Sequence, residues 1–307
     1  MITILLATYN GEKYLRQQLD SLLRQTYQDF MIWAQDDLST DSTWDILNEY
    51  HERFPDKIWL SQTEKNTGSA KANFIDMMLK ARDEYLMLCD QDDIWLPDKI
   101  ELTLAEMKNA EIQNPGKPVL VHTDLSIVDQ DLNILEYSFK ESTKRDYNRK
   151  EYRHMVTVNN ASGCTIMYNH ALAEYLYDAP NYTMMHDWWL KLIAASFGVV
   201  AHVDTQTMLY RQHGDNSLGA KKVRTLSYKL ERLKNWRKLR QDLHDTCQQA
   251  ASLLACYSNK LSNEQIEFLQ AYSGIPYMNK LDKWRTIFRL RVFMYGISRN
   301  IAFFMFI

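Results

Sequence analysis

The sequence predicts an α/β domain on a mostly parallel sheet, followed by a helical extension. Three observations carry that expectation. Over residues 1–90, short β-rich runs alternate with segments of helical apolar spacing, joined by short turns, as in βαβ units. Each of those runs ends in polar or acidic residues. The charge of the chain also reverses near residue 220: residues 1–220 carry 20 Lys and Arg against 33 Asp and Glu, and residues 221–307 carry 16 against 6. That reversal, at "GAKKVRT", sets the expected domains as 1–220 and 221–307.

Taken in order, "ITILLAT" (2–8) is predicted as a buried strand and "YLRQQLDSLLRQ" (14–25) as a helix with apolar residues three and four apart. "FMIWAQ" (30–35) is a second strand, and Asp41-Ser42-Thr43 opens the helix "WDILNEYHERF". "KIWLSQ" (57–62), "SAKANFIDMMLKA" (69–81) and "EYLMLCD" (84–90) continue as strand, helix, strand. Beyond 118 the pattern is less regular. "PVLVHTDLSIVD" and "GCTIMYN" read as strands, "HDWWLKLIAASFG" as a helix, and "TQTMLYRQHGDNS" as a strand entering a polar loop. From 221 onward Leu226, Leu230, Leu233, Trp236, Leu239 and Leu243 recur at helical steps.

Composition narrows the classes. The chain is 46% hydrophobic and 24% charged, which is globular. Its four cysteines show no CxxC pair, which speaks for a reducing compartment and against a zinc–thiolate site or a disulfide framework. The N-terminus lacks the basic and long apolar regions of a signal peptide.

In parallel sheets ligands bind beyond the carboxyl ends of the strands. Four strand ends here bring "TYNG", "QDDLSTDS", "NTGS" and "DQDD" to one rim. Three carboxylates in "CDQDDIW" (89–95) exceed what the next helix N-terminus needs, and the pattern suits a hard cation held by oxygen ligands. A solvated acidic turn is the plainer alternative.

Seven stretches in order, "LLATYNGEKYL", "QDDLSTDST", "NTGSAKANF", "LCDQDDIWLPDKI", "ASGCTIMYN", "HDWWL" and "YRQHGDNS", resemble glycosyltransferase family 2 and its GT-A fold. The general character is similar to that of bacterial rhamnosyltransferases building cell-wall and capsular polysaccharides. The resemblance implies an inverting, metal-dependent transfer of a sugar from a nucleoside diphosphate sugar. The donor it suggests is dTDP-rhamnose, with a UDP-sugar as the alternative. The acceptor it implies is a hydroxyl of a lipid-linked saccharide or polysaccharide.

It also assigns roles. Asp37 would accept a hydrogen bond from the base, with Thr8 and Asn10 beside it. Leu38 stands where relatives more often have Gly. Lys71 would face the nucleotide, or else be an ordinary helix lysine. Asp90 would approach the ribose, and Asp92 would coordinate Mg2+ or Mn2+. Asp93 would support the site from behind or help the acceptor. His213 would contribute a metal or phosphate contact, the alternative being polar surface. Asp187 would be the general base, with His186 where most relatives carry Glu. Trp188 and Trp189 would form a wall for sugar.

Residues 221–240 hold nine Lys and Arg and one Glu. The acidic first domain and the absence of a nucleic-acid motif exclude nucleic acid as the partner. The tail "DKWRTIFRLRVFMYGISRNIAFFMFI" mixes arginines with large apolar residues and has no run long enough to span a bilayer. It is expected either to lie on an anionic membrane surface, making the protein peripheral on the inner face of the cell membrane, or to pack in a homo-oligomer. Other enzyme classes fit less well. A nucleotidyltransferase needs a glycine-rich basic loop where "LLATYNGEKYL" has one Gly, and a processive synthase needs a QxxRW motif. An inactive sugar-nucleotide-binding scaffold would have no need of Asp92 and Asp187.

Overall fold

The computed structural model describes residues 1–177, 180–214 and 236–293, together with Asn300 and Phe304. By backbone contact the chain divides into two compact units: residues 1–144, 161–177 and 198–220 form the first, and residues 145–160, 178–197 and 221–307 the second. The sequence reading put all of 1–220 in one domain. Two inserted segments, one containing Asp187, instead cluster with the C-terminal helices.

The first unit is built on β1 (Ile2–Thr8), β2 (Phe30–Asp36), β3 (Ile58–Gln62), β4 (Tyr85–Asp90), β5 (Ile94–Trp95), β6 (Val119–Val128), β7 (Ile134–Glu136), β8 (Ile166–Asn169) and β9 (Val199–Arg211). Its main helices are α1 (Leu15–Leu23), α2 (Thr43–Arg53), α3 (Ala70–Lys80) and α4 (Lys99–Gln113). Every residue of β1 is buried, as expected of a central parallel strand covered on both faces. Ile2, Ile4 and Leu6 meet the Leu15, Leu19 and Leu22 stripe of α1 in one core that extends to Ile32 and Met87. The cap of α3 is Ser69, whose side chain accepts from the Ala72 N–H.

The strands lie in the order β3-β2-β1-β4-β8-β6-β9-β5, with β7 paired to β6. β1 is parallel to both β2 and β4, so the strand order reverses between β1 and β4, and a crevice is expected at their carboxyl ends. β8 and β5 enter antiparallel. β5, where Ile94 and Trp95 pair with Leu209 and Met208, is two residues long and too short to show a period in the sequence. The sequence predicts only the second half of β9, because "AHVDT" breaks the apolar pattern.

The second unit contains the helices His186–Phe197, Trp236–Tyr257, Asn263–Ser273 and Lys280–Leu290. Ser262 and Gln265 form a capping box at the start of the third. The Gln265 side chain donates to the Ser196 carbonyl at 2.7 Å, and Trp189 packs on Tyr257 with ring centroids 6.2 Å apart. Among the described residues no helix is long and apolar enough to cross a membrane. The basic stretch 221–240 lies outside the described residues as far as 235, as does most of 294–307.

Candidate active site

At the carboxyl ends of β1 and β4 the backbone of Tyr9 is clamped by one side chain. Gln91 accepts from the Tyr9 N–H at 2.8 Å and donates to the Tyr9 carbonyl at 2.9 Å. Gly11 makes room for it: a Cβ there would lie 2.3 Å from Gln91 Oε1. The two strand ends at which the sheet order reverses are thereby held together.

Asp92 and His213 meet on this rim. His213 Nε2 is 2.8 Å from Asp92 Oδ2, and the imidazole packs on Tyr14 with ring centroids 4.9 Å apart. Beneath them Arg211 is buried and fully engaged. Its backbone N–H donates to Asp93 Oδ1 at 3.1 Å, and its guanidinium donates to the Asp92 carbonyl (2.9 Å), the Gln130 carbonyl and Gln17 Oε1 (2.6 Å each). The same guanidinium lies 4.5 Å from the centre of the Tyr14 ring. Arg211 thus ties the end of β9 to the acidic turn and sets the place of His213 two residues on.

Two sets of residues bear on metal binding. Ligand atoms of Asp90, Asp93 and Cys164 lie within 4.8 Å of one another. Burial pushes both the Cys164 thiol and the Asp93 carboxyl well up, the latter helped by Asp92 and Asp90, so neither offers a ready anion. Asp93 Oδ2 is buried with no hydrogen-bond partner among the described residues. A thiol-bearing buried trio suits a hard cation poorly. The rim pair suits one well, since neighbouring ligands of an octahedral ion bound at ~2.1 Å stand roughly 3 Å apart, close to the Asp92–His213 separation.

The expected nucleotide side is more self-contained than its motif suggests. Thr8 is buried and donates to Asp36 Oδ1 at 3.1 Å. Asp37 is also buried, accepting from Thr63 Oγ1 (2.9 Å), the Thr67 N–H (2.8 Å) and Thr67 Oγ1 (2.8 Å), and so holds the loop after β3. Asn10, at φ 48°, accepts from the Thr40 N–H at 2.8 Å and donates its own N–H to Ser39 Oγ at 2.9 Å. Leu38 sits at φ 60°, the left-handed region that Gly occupies without the roughly 1–2 kcal/mol penalty of an L side chain. Lys71 stands half-buried in the first turn of α3.

In the second unit Asp187 opens the helix His186–Phe197, where the helix dipole favours a carboxylate. Its Oδ1 accepts from the Trp188 N–H at 2.7 Å and its Oδ2 from the Asn159 amide at 3.0 Å. One turn on, the fully buried Lys191 donates to Asn160 Oδ1, and burial holds its amine well below the usual lysine range. His186 is buried. The expectation of a tryptophan wall needs correction. Trp188 and Trp189 are both buried, and the Trp188 indole N–H is spent on the Met155 carbonyl at 2.5 Å. Adjacent aromatics on a mostly apolar helix are here core.

Gln91, Arg211, Tyr14 and Asn159 escaped the sequence reading. Gln91 is the middle of "DQD", where the resemblance gives roles to the two aspartates alone, and Arg211 stands two residues before His213.

Residues 3–175 match the family model described as glycosyl transferase family 2. The chain is 31% identical over 230 residues to the dTDP-rhamnosyl transferase RfbG of Shigella flexneri, covering 70% of this chain and 74% of that protein. Its structure is similar to that of S. aureus TarS 1-349 in complex with UDP-GlcNAc, with a TM-score of 0.54, 15% identity, and 92% of this chain and 82% of that one covered. It is also similar to the mannosyltransferase PcManGT from Pyrobaculum calidifontis in complex with GDP-Man and Mn2+, at TM-score 0.52 and 15% identity, covering 99% and 78% of the two chains. At such identities the two structures speak for the fold.

Proposed function

The chain belongs to glycosyl transferase family 2, and from that premise we propose that it transfers a sugar, with inversion, from a nucleoside diphosphate sugar to a hydroxyl of a lipid-linked or polysaccharide acceptor. The donor we propose is dTDP-rhamnose, on the likeness to the Shigella protein. A UDP-sugar is the second reading, favoured by the UDP-GlcNAc bound to S. aureus TarS. The single observation that carries the proposal is the Asp92–His213 pair standing at the strand ends where the sheet order reverses.

Asp92 and His213 would hold a divalent cation, Mg2+ or Mn2+, with Asp90 toward the ribose. Such a cation, when bound, neutralises charge developing on the departing diphosphate. An ionised carboxylate accepts roughly four hydrogen bonds, and Asp37 already accepts three, which leaves it one for the N–H of a base. Asp187 takes the proton of the attacking acceptor hydroxyl. As that proton leaves, the hydroxyl oxygen forms a bond to the anomeric carbon and the bond from that carbon to the diphosphate oxygen breaks, its electron pair departing with the nucleoside diphosphate. Asn159 supports Asp187 in this role by fixing one of its oxygens with an amide donor.

A screen of dTDP-rhamnose and common UDP-sugars, reading binding and metal-dependent hydrolysis, tests the donor. Tight binding of dTDP-rhamnose alone is the expected result. Preference for a UDP-sugar moves the assignment to the second reading, and binding of none of them overturns both.

A further inference from the structure

We propose that the outward face of the helix Lys280–Leu290 lies in the surface of an anionic bilayer, with Leu281, Trp284 and Phe288 immersed and the neighbouring cations on lipid headgroups. This gives residues to the membrane reading of the tail, and it does not depend on which sugar is transferred.

The helix has a buried face and, apart from it, an exposed apolar stripe. Lys283, Thr286, Ile287 and Leu290 are its buried set. Leu281, Trp284 and Phe288 are exposed by 56%, 38% and 60%. At roughly 100° per residue those three fall within about 60° of one another and far around the helix from the buried set. A surface helix normally turns polar residues outward, so three large apolar side chains on the solvent side call for a covering partner. Tyr277, exposed by 86%, stands just ahead of them. The Phe288 ring continues the patch through Phe304 and Phe293, with centroids 5.1 and 5.8 Å away.

Charge selects the partner. Lys280 lies along one side of the stripe, its Nζ 5.6 Å from the Trp284 ring centre, and Arg285 and Arg289 lie along the other, with Arg291 just beyond the helix. Lys280, Arg285, Arg289 and Arg291 are all exposed, and Asp282 is the one acidic residue of the helix. Cations flanking an aromatic and aliphatic stripe match the layering of a bilayer interface, where rings enter the headgroup boundary and lysine and arginine meet anionic lipid. Two copies joined through this face would set cations against cations, Arg285 and Arg289 meeting either the same arginines or Lys280, because such a contact uses the same patch on both subunits.

The test uses the full chain with vesicles of phosphatidylcholine alone, or containing about 30% phosphatidylglycerol, at low and high salt. Wild type is expected to sediment with the anionic vesicles at low salt and to release in high salt. W284A/F288A should bind them at least roughly tenfold more weakly. R285Q/R289Q should weaken binding by roughly fivefold per arginine and reduce its salt sensitivity. Circular dichroism of each variant shows whether the helices remain. Absence of wild-type binding to anionic vesicles at low salt overturns the proposal, as does W284A/F288A binding equal to wild type. Wild-type dimers in light scattering that dissociate in W284A/F288A, with vesicle binding unaltered, would assign the face to a second copy instead.

Discussion

Gly11→Ala tests whether Gln91 clamps the carboxyl ends of β1 and β4 together. A Cβ at position 11 meets Gln91 Oε1 at 2.3 Å, its Cδ at 2.4 Å and its Nε2 at 2.9 Å, so the amide must leave its place. With it go the two hydrogen bonds to Tyr9, each worth a net ~1 kcal/mol. Tyr9 is exposed, so water takes over its freed groups and no orphan penalty is added. The expected loss is therefore about 1–2 kcal/mol for Gly11→Ala, and about the same for Gln91→Ala. Gly11 is not at positive φ, so alanine suits its backbone. With Gln91 already truncated, Gly11→Ala should then be neutral or stabilising by about 0.4–1 kcal/mol, through the unfolded chain. The coupling between the two sites comes to roughly 1–3 kcal/mol, measured by urea unfolding of the wild type, both single variants and the double variant. Equal costs of Gly11→Ala in both backgrounds, within about 0.5 kcal/mol, would refute the clamp.

Two further outcomes are expected. Asp187→Asn should lower transfer by roughly 10²–10⁴-fold while nucleotide-sugar binding, followed by calorimetry, stays near wild type; near-normal transfer would move the base elsewhere. Lys99 is fully buried, and burial pulls its amine down to about 8 against the attraction of Cys164, Cys89 and Asp93. Between that value and the unfolded value of ~10.4 the unfolded chain binds the extra proton, so the Lys99 contribution to stability grows as pH rises through that window. Wild type should accordingly gain on Lys99→Met between about pH 8 and pH 10, as read from paired denaturation curves; a constant difference would show that Lys99 keeps its charge in the fold.

The parallel half of the sheet was legible because each strand of β1 to β4 is a compact apolar run closed by turn residues, and period alone separates it from the next helix. Asp92 and His213 were legible as chemistry, but their meeting was not, since 121 residues separate them and only the pairing of β9 with β5 and β6 brings them together. Gln91 and Arg211 left no such signal. A glutamine between two aspartates and an arginine at a strand end look like surface until the backbone groups they satisfy are known. The partition of 145–160 and 178–197 into the second unit is hidden for another reason: bonds such as Asn160 to the Asp146 carbonyl and Thr183 to Gln249 Oε1 link residues at no regular spacing, which no periodicity records. Trp188 and Trp189 misled because aromatic residues serve sugar walls and cores alike, and burial decides between them.

Turnover of the nucleoside diphosphate sugar with and without chelator, in wild type and Asp92→Asn, tests the central claim most directly. Wild type should be inactive in excess chelator and regain activity with Mg2+ or Mn2+, while Asp92→Asn should stay nearly inactive with either ion. Full wild-type turnover in excess chelator, or Asp92→Asn turnover near that of the wild type, would contradict a metal-assisted transfer centred on Asp92 and His213.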